Sequence, residues 1–161
     1  MENLKVVDIF IGTTLRGSAK GAGRAMYIMR TKRKNGSDYE ATPQIVEYDN
    51  TTESESVLRA IRDALQRLHY ACTVVIHTEC SYVASAITQH WPEKWQRNGW
   101  KSAKGNPVKN AVLWEMILQD VEEGGHILLA EGEKHEYAEW MRFNMPLKRA
   151  LKDIYTEVPK N

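Results

Sequence analysis

The first fifty residues contain three β-rich segments that are separated only by turns. They run from Leu4 to Ile11, from Arg24 to Thr31 and from Gln44 to Tyr48, and each holds the β-branched and aromatic residues typical of strands. Asn35-Gly36 lies between the second and third segments and is a strong signal for a hairpin turn. Because strands joined by turns alone pair antiparallel, the sequence predicts a three-stranded meander at the start of the chain.

Beyond residue 48 the chain alternates helix-like and strand-like segments. Capping residues at 49–52 precede apolar positions at helical spacing up to Leu68, and a short apolar strand is predicted at 73–77. A helix at 81–89 is predicted to end at Trp91-Pro92, and a polar loop is predicted at 98–110. The remaining predicted elements are a helix at 108–123, a strand at 126–130 and a last helix at 136–154, which contains Pro146.

The predicted order of elements is therefore β-β-β-α-β-α-α-β-α. A meander followed by alternating helices and strands is typical of an α/β fold, with a mixed sheet and helices on both of its faces. The chain has 161 residues, which suits one domain, and it contains no repeat or linker. We therefore predict a single domain that spans residues 1–161.

The composition excludes several classes of protein. With 42% hydrophobic and 27% charged residues, the chain is unlike disordered or collagen-like sequences. No apolar run approaches the roughly 18 residues that cross a bilayer, and the N-terminus has no signal-peptide pattern. Cys72 and Cys80 lack the spacing of a metal or redox motif and are predicted to be buried thiols in a reducing compartment. We therefore expect a cytoplasmic protein with no disulfide-linked partner.

The net charge of +1 conceals strong local imbalances. Residues 16–34 carry seven basic and no acidic side chains, and residues 91–110 carry five basic side chains against Glu93 alone. Trp91, Trp95 and Trp100 lie among the second group of cations. This mixture is typical of a surface that binds nucleic acid, because cations meet phosphates and flat rings pack on sugars or bases. The alternative is that the tryptophans pack a corner of the fold and the lysines are merely solvated.

Residues 120–139 have the opposite character, with seven carboxylates against Lys134. Clustered carboxylates can hold divalent metal ions. Most of them are equally well explained as the solvated end of a helix and the loop that follows it.

An ordered series of motifs runs from Ile76 to Trp114. It comprises HTECSYV at 77–83, AIT at 86–88, tryptophans at 91 and 95, NGWK at 98–101, GNPVKN at 105–110 and LW at 113–114. This series resembles type 1 ribonuclease H, in which a strand ends in T-D-S-x-Y-V and W-x-x-x-W, G-W-K, P-V-K-N and L-W motifs follow through a basic protrusion. The resemblance implies a five-stranded mixed sheet, recognition of RNA–DNA hybrid, and four carboxylates that hold two magnesium ions for hydrolysis of the RNA strand.

The resemblance also implies which residues contact the substrate. They are the aromatic, basic and amide side chains that match the family's protrusion: Trp91, Trp95, Trp100, Lys101, Lys104, Lys109 and Asn110.

The first two carboxylate positions of the family hold other residues in this chain. The first ligand belongs on strand one in a V-x-I-F-x-D-G-S pattern, where this chain has Gly12. Asp8 shares that face, but four residues along a strand is about 13 Å, too far for a substitute. The second ligand belongs near the start of the first long helix, at the position of Ser56. Glu55 serves only if the register slips by one residue, a rotation of about 100°.

The third and fourth positions keep a carboxylate. Glu79 replaces the usual aspartate, and Glu139 is favoured over Glu136 in the last helix. Glu79 and Glu139 are therefore the predicted ligands for Mg²⁺ or Mn²⁺, while the alternative for Glu79 is a neighbour of a helix N-cap with no metal. His135 is a candidate for the catalytic-loop histidine by proximity alone.

Three functions are consistent with this sequence. The first is an active ribonuclease H in which backbone carbonyls, waters or Glu55 complete the metal shell. The second is a family member that binds nucleic acid and cuts it poorly or not at all, and it is favoured because Gly12 removes a ligand outright. The third is a protein-interaction domain that keeps only the scaffold, which the retained tryptophans and lysines argue against.

Overall fold

Six strands form one mixed sheet in the computed structural model, which describes residues 4–145. β1 pairs antiparallel with β2 and parallel with β5, which in turn pairs parallel with β6. The order across the sheet is β3-β2-β1-β5-β6, and β4 also pairs with β2. The predicted meander and the mixed sheet are thus confirmed. The strands are β1 Lys5–Thr13, β2 Gly21–Lys32, β3 Asp38–Glu40, β4 Gln44–Thr51, β5 Cys72–His77 and β6 Ile127–Glu131.

The short strands β3 and β4 both lie along the same edge of β2. β3 pairs with residues 30–32 of β2 and β4 with residues 21–27, and the Ala41 N–H donates to the Met29 carbonyl between them at 2.8 Å. Pro43 has no N–H to donate, so the ladder is interrupted there. The sequence predicted five strands and not six because the polar segment Asp38–Glu40 has no strand pattern of its own.

Within residues 4–145, five helices accompany the sheet: α1 Glu53–Leu65, α2 Ser81–Thr88, α3 Trp91–Arg97, α4 Ala111–Gly124 and α5 Ala138–Asn144. α3 was not predicted. Pro92 lies in the first turn of this helix instead of only ending the one before, because the missing N–H of a proline costs nothing in a first helical turn. The left-handed backbone of His90, with φ of 58°, separates α2 from α3. The predicted last helix begins at Ala138, and its portion from Pro146 lies outside the described residues.

Both faces of the sheet are covered by helices, as predicted. Alternate residues of β1 point to opposite faces, so Val7, Ile9 and Ile11 join one core cluster and Phe10 joins another. The larger cluster includes buried residues of α1 and α4, and the smaller one includes Met141 and Met145 at and after α5. None of the helices within residues 4–145 is long and apolar enough to cross a bilayer.

Candidate active site and nucleic-acid interface

The carboxyl ends of β1 and β5 lie side by side, because these two strands are parallel neighbours. Gly12 lies near the end of β1, and Glu79 follows the end of β5 by two residues. The N-terminal turn of α1 reaches the same edge through Ser56, which contacts Thr13, and α5 reaches it through Met141, which packs on Gly12. The sheet therefore brings together the first three positions at which the resemblance implies carboxylates.

The space beside Gly12 is filled by α5. A Cβ built on Gly12 would lie 2.8 Å from the Sδ of Met141, 3.2 Å from its Cβ and 3.4 Å from the Cε of Met145. Both methionines are buried, and the first of these distances is shorter than van der Waals contact allows. Position 12 has thus become a packing site for a helix, where the resemblance implies a metal ligand.

Ser56 is a fully buried hydrogen-bonding residue between α1 and β1. Its hydroxyl donates to the Glu53 carbonyl at 2.8 Å. Since a serine has a single hydroxyl proton, the 2.8 Å contact between the Thr13 and Ser56 hydroxyls has Thr13 as its donor. The second carboxylate position of the family is therefore replaced by a closed hydroxyl pair, which ties α1 to the end of β1.

Glu55 has different partners from Ser56. Its backbone N–H donates to the side chain of the N-cap residue Thr52, and its carboxylate accepts from the Thr51 hydroxyl at 3.0 Å and lies 3.5 Å from the Arg59 Nε. These contacts stabilise the start of α1, where negative charge is also favoured by the helix dipole. A catalytic role for Glu55 stays a prediction.

Two arginines contact the carboxylate of Glu79. The Arg16 Nη2 lies 3.5 Å from Oε2, and the Arg142 Nη2 lies 3.2 Å from Oε2 and 3.5 Å from Oε1. The Arg16 Nη1 also donates to the carbonyls of Thr13 and Leu15 at 3.1 and 2.8 Å, which fixes its guanidinium beside the end of β1. The sequence did not single out either arginine, although Arg16 opens the basic stretch 16–34.

Glu139 is an exposed residue of the first turn of α5. Its carboxylate lies 2.6 Å from the Lys134 Nζ, and this hydrogen bond lowers the pKa of Glu139. The less favoured candidate Glu136 pairs with Arg30 at 2.8 Å. Both carboxylates therefore have a cationic partner in the protein.

The implied two-ion centre does not fit the residues that are present. No group of three or more histidine, cysteine, aspartate or glutamate side chains is arranged to hold a metal ion within residues 4–145. The side chain of Met141 fills the space beside Gly12, and the Ser56 hydroxyl is paired with that of Thr13. The carboxylate of Glu79 is in contact with two guanidinium groups. Binding of a single ion by Glu79 and Glu139 stays a prediction.

His135 joins the loop before α5 to the end of β1. Its Nε2 lies 2.8 Å from the Ile11 carbonyl, and its Nδ1 accepts from the Tyr137 backbone N–H at 3.2 Å. These partners assign the proton of the neutral ring to Nε2, and burial lowers the pKa of His135. Both ring nitrogens are thus engaged with the backbone, and the catalytic role of His135 stays a prediction that this geometry disfavours.

Asp8 is also engaged in a contact of its own. Its carboxylate lies 2.8 Å from the Nε2 of His77, whose Nδ1 lies 3.4 Å from a carboxylate oxygen of Glu131. The His77 ring stacks on Phe10 with centroids 4.4 Å apart. Asp8 therefore belongs to a small polar network across β1, β5 and β6, in agreement with the expectation that it does not replace the ligand missing at position 12.

The three candidate tryptophans are half-buried, and all of them pack against the main core cluster. The ring centroids of Trp91 and Trp95 are 6.0 Å apart, and Trp95 meets the fully buried Trp114 edge-on at 6.3 Å. This is the packing that the alternative interpretation predicts. Contact between substrate and the exposed parts of Trp91, Trp95 and Trp100 stays a prediction.

The candidate lysines lie on a loop with internal hydrogen bonds. Val108 N–H donates to the Trp100 carbonyl at 3.1 Å, Ser102 N–H donates to the Asn106 carbonyl at 2.7 Å, and the Asn98 side chain donates to two carbonyls of the same loop. The side chains of Lys101, Lys104 and Lys109 are exposed. We call α3 together with residues 98–110 the basic protrusion.

Asn110 anchors the basic protrusion to the rest of the site. Its backbone is left-handed with φ of 62°, a conformation that asparagine tolerates better than most residues. Its side-chain amide donates to the hydroxyl of Ser54, in the first turn of α1, at 3.2 Å.

A cleft of about 190 Å³ runs between the basic protrusion and the end of the sheet. Lys109 lines it from the side of the protrusion, and Cys80, next to Glu79 in the chain, lines it from the other side. Gly17 and Ser18, which follow Arg16, also line the cleft, together with Glu53, Ser54 and Tyr82. Arg16 and Glu79 are thus the chain neighbours of two residues that line this cleft.

Comparison with known proteins identifies the family. The family model for RNase H matches residues 9–129. A protein named ribonuclease H from Oleidesulfovibrio alaskensis is 32% identical to this chain, over 71% of this chain and 70% of the relative. One from Thermoanaerobacter sp. is 30% identical, over 73% of this chain and 71% of the relative. A ribonuclease H of Caldicellulosiruptor saccharolyticus is 39% identical over 71 residues. That match covers 44% of this chain and about half, 49%, of the relative.

Solved structures share the fold. The crystal structure of LC9-RNase H1, a type 1 RNase H with the type 2 active-site motif, superimposes with a TM-score of 0.70 at 19% identity, over 90% of this chain and 72% of that one. A foamy viral protease-reverse transcriptase in complex with dsDNA gives 0.63 at 15% identity, over 88% and 89%. The same type of protein in complex with RNA/DNA hybrid gives 0.62 at 15% identity, over 80% of this chain and 17% of that one.

Proposed function

The chain belongs to the RNase H family, and on that premise we propose that it binds RNA–DNA hybrid without cutting the RNA strand by the family's two-metal route. The observation that carries this proposal is the contact between Met141 and Gly12, because a side chain at position 12 would have to displace the buried Met141 before it could reach a metal ion. The closed pair of Thr13 and Ser56 supports the same conclusion at the second position. Magnesium or manganese then has no catalytic role in this chain.

Retention of binding is supported by the basic protrusion. Its loop keeps an ordered backbone and exposes Lys101, Lys104 and Lys109. Cations on a fixed loop are suited to backbone phosphates, which dominate the affinity of nucleic-acid complexes. Two similar structures are of a protein bound to RNA/DNA hybrid and to dsDNA, so nucleic acid is the partner class that the fold relatives favour.

A protein-interaction domain is the second candidate. The observation that favours it is the exposure of two large apolar side chains on α5, Phe143 at 85% and Trp140 at 46%. An interaction domain of this kind has no need for hybrid, so a binding measurement separates the two functions. The cytoplasm is the proposed location in either case, on the strength of the two cysteines, both of which are buried.

The test combines binding and cleavage of one labelled hybrid. Fluorescence anisotropy measures the affinity of the protein for an 18-base-pair hybrid, and gel analysis follows the RNA strand in Mg²⁺ and then in Mn²⁺. We expect salt-sensitive binding and intact RNA. RNA cleavage that is abolished by Glu79→Ala would overturn the proposal, and absence of hybrid binding would favour the protein-interaction domain.

A pair of charge-matched variants identifies the binding surface. Lys101→Ala with Lys104→Ala removes two cations of the basic protrusion, whereas Lys5→Ala with Arg67→Ala removes two exposed cations from the opposite end of the sheet. We expect the first pair to lower the affinity about tenfold and the second to leave it within about twofold, since only contacts to phosphate release counterions. Equal losses would mean that binding is non-specific.

A further inference from the structure

We propose that Arg16 and Arg142, held together by Glu79, bind a backbone phosphate of nucleic acid directly, at the edge of the sheet where the family holds metal ions. This inference rests on the proposed function, since it concerns the same ligand. The ligand chemistry is a phosphodiester, and no divalent cation takes part. Glu79 acts as a positioning residue that orients the two guanidinium groups.

The first argument is the convergence of the two arginines. Arg16 comes from the segment after β1 and Arg142 from α5, and the Nη2 atoms of both contact the same oxygen, Oε2 of Glu79. Like charges repel, so two guanidinium groups share one carboxylate oxygen only where that carboxylate offsets the repulsion. The two guanidinium groups and Glu79 together carry a net charge of +1, the sign that attracts a phosphate. The neighbouring carboxylates of Glu53 and Glu139 have partners of their own, the Gly17 N–H and Lys134.

The second argument is the number of hydrogen-bond donors that stay accessible. A guanidinium has five N–H groups in a planar fork that matches two phosphate oxygens. Among residues 4–145, Arg142 contacts Glu79 through Nη2 alone. Arg16 uses Nη1 for two carbonyls and Nη2 for Glu79. The two side chains are 53% and 52% exposed, whereas Glu79 is 28% exposed, so the cations face solvent more than the anion does.

The third argument is the continuity between the arginine pair and the basic protrusion. The cleft beside Lys109 is lined by Gly17 and Cys80, which are the chain neighbours of Arg16 and Glu79. A strand whose phosphates follow the protrusion into this cleft therefore comes within one residue of Arg16, whose guanidinium meets that of Arg142 at Glu79. The pair provides an additional phosphate contact at its end.

The proposal predicts that two substitutions change the affinity for hybrid in opposite directions. Arg16→Ala with Arg142→Ala removes the donors, so hybrid binding should weaken about tenfold and the slope of log affinity against log salt should fall by about 1. Glu79→Gln keeps an acceptor oxygen that both guanidinium groups can share and removes the negative charge, which raises the net charge of these three side chains from +1 to +2. Binding should then tighten by roughly two- to fivefold. If Glu79 were a metal ligand, the result would be the opposite. Loss of its charge would weaken binding of the metal ion, and the hybrid that the ion contacts would then bind less tightly.

Anisotropy with labelled hybrid at matched ionic strength tests both signs, in EDTA and in Mg²⁺. Lys5→Ala with Arg67→Ala is the charge-matched control, and Arg16→Lys with Arg142→Lys retains charge without the planar fork. Circular dichroism and thermal unfolding verify that each variant is folded. We expect equal wild-type affinity in EDTA and Mg²⁺, a specific loss for the alanine pair and an intermediate loss for the lysine pair.

The outcomes separate this inference from the function on which it rests. If wild-type protein binds hybrid and the arginine pair behaves like the control, the phosphate site is wrong and the proposed function stands. If binding needs Mg²⁺, or if Glu79→Gln weakens it, the phosphate site is also wrong. If wild-type protein does not bind hybrid at all, both proposals fall.

Discussion

The Sδ of Met141 lies 2.8 Å from the position that a Cβ on Gly12 would take. Helix α5 therefore packs on the end of β1 so closely that any side chain at position 12 requires Met141 to shift. Met141 is 1% exposed and belongs to a cluster with Phe10 and Met26, so this contact is part of the core on that face of the sheet. A position that carries a metal ligand in the family contributes here to stability.

We expect Gly12→Ala to lower the free energy of unfolding by about 1–3 kcal/mol, because the added methyl group overpacks a filled site. Gly21→Ala is the matched control, since a Cβ at that glycine of β2 has open space, and its effect should stay within about 0.5 kcal/mol. Urea denaturation measures both. If Gly12→Ala and Gly21→Ala lowered the free energy of unfolding equally, or if Gly12→Ala did not lower it at all, the close packing of Met141 on Gly12 would be contradicted.

We expect Ser56→Ala and Thr13→Ala to be coupled, because the two hydroxyls form one hydrogen bond inside the fold. A double-mutant cycle on the free energy of unfolding should give a coupling energy of about 0.5–1.5 kcal/mol. Thr31→Ala provides the control cycle with Ser56→Ala, since the Thr31 hydroxyl donates to the Val6 carbonyl at the other end of the sheet. Additive effects of Ser56 and Thr13 would show that their contact does not stabilise the fold.

Replacing the two missing carboxylates should not by itself restore cleavage. Gly12→Asp with Ser56→Glu supplies the residue types of the family, but Met141 still fills the first position and two arginines still hold Glu79. We expect intact RNA in a hybrid cleavage assay with Mg²⁺ or Mn²⁺, and a lower melting temperature. Metal-dependent cleavage by this double variant would show that the two carboxylates alone are sufficient to restore catalysis.

The stability of the fold should depend on His135 in a pH-dependent way. Burial lowers the pKa of His135 below its ordinary value of 6.5, so the unfolded chain binds the proton more readily than the folded one. The stabilisation from the neutral ring is thus complete above about pH 6.5 and is lost as the pH falls through the folded-state pKa. The cost of His135→Gln should be larger at pH 7.5 than at pH 5, as measured by urea denaturation.

Two observations check this linkage. The variant His69→Gln changes an exposed histidine and is measured in parallel as the control for the loss of an imidazole. In wild-type protein, an NMR titration of the His135 ring should give a midpoint below 6.5. A cost of His135→Gln that is the same at both pH values would contradict the buried neutral tautomer.

In the basic protrusion, we expect the tryptophans to contribute mainly to stability and the lysines mainly to hybrid binding. Trp95→Ala removes a ring that packs against Trp114 in the core, so we expect a loss of about 2 kcal/mol in the free energy of unfolding, less than for a fully buried tryptophan. Lys101→Ala changes an exposed residue and should leave stability within about 0.5 kcal/mol while it weakens hybrid binding. A stable Trp95→Ala variant with lost binding would assign that ring to the substrate instead.

The sequence was sufficient for the meander, the mixed sheet and α1, because these elements follow from local apolar patterns and from the capping residue Thr52. It did not predict α3, because Pro92 predicts the end of one helix and is equally favourable in the first turn of the next. The motif series from Ile76 to Trp114 identified the family correctly, and the family model matches residues 9–129.

The contacts that determine the chemistry of the site could not be predicted from local sequence patterns. Arg16 and Arg142 meet at Glu79 although each is 63 residues from it in the chain. The resemblance predicts that Gly12 replaces a metal ligand, and only the packing of α5 reveals that Met141 occupies the space beside it. Such contacts depend on how strand ends and helices assemble, which hydrophobic periodicity does not specify.

The most direct test of the account is anomalous diffraction from crystals of the protein with bound hybrid, soaked in Mn²⁺. We predict an ordered backbone phosphate within hydrogen-bond distance of Arg16 and Arg142, and no anomalous peak beside Glu79. A Mn²⁺ ion coordinated by Glu79, with the two arginines displaced from its carboxylate, would contradict the central claim that this edge of the sheet binds phosphate without metal.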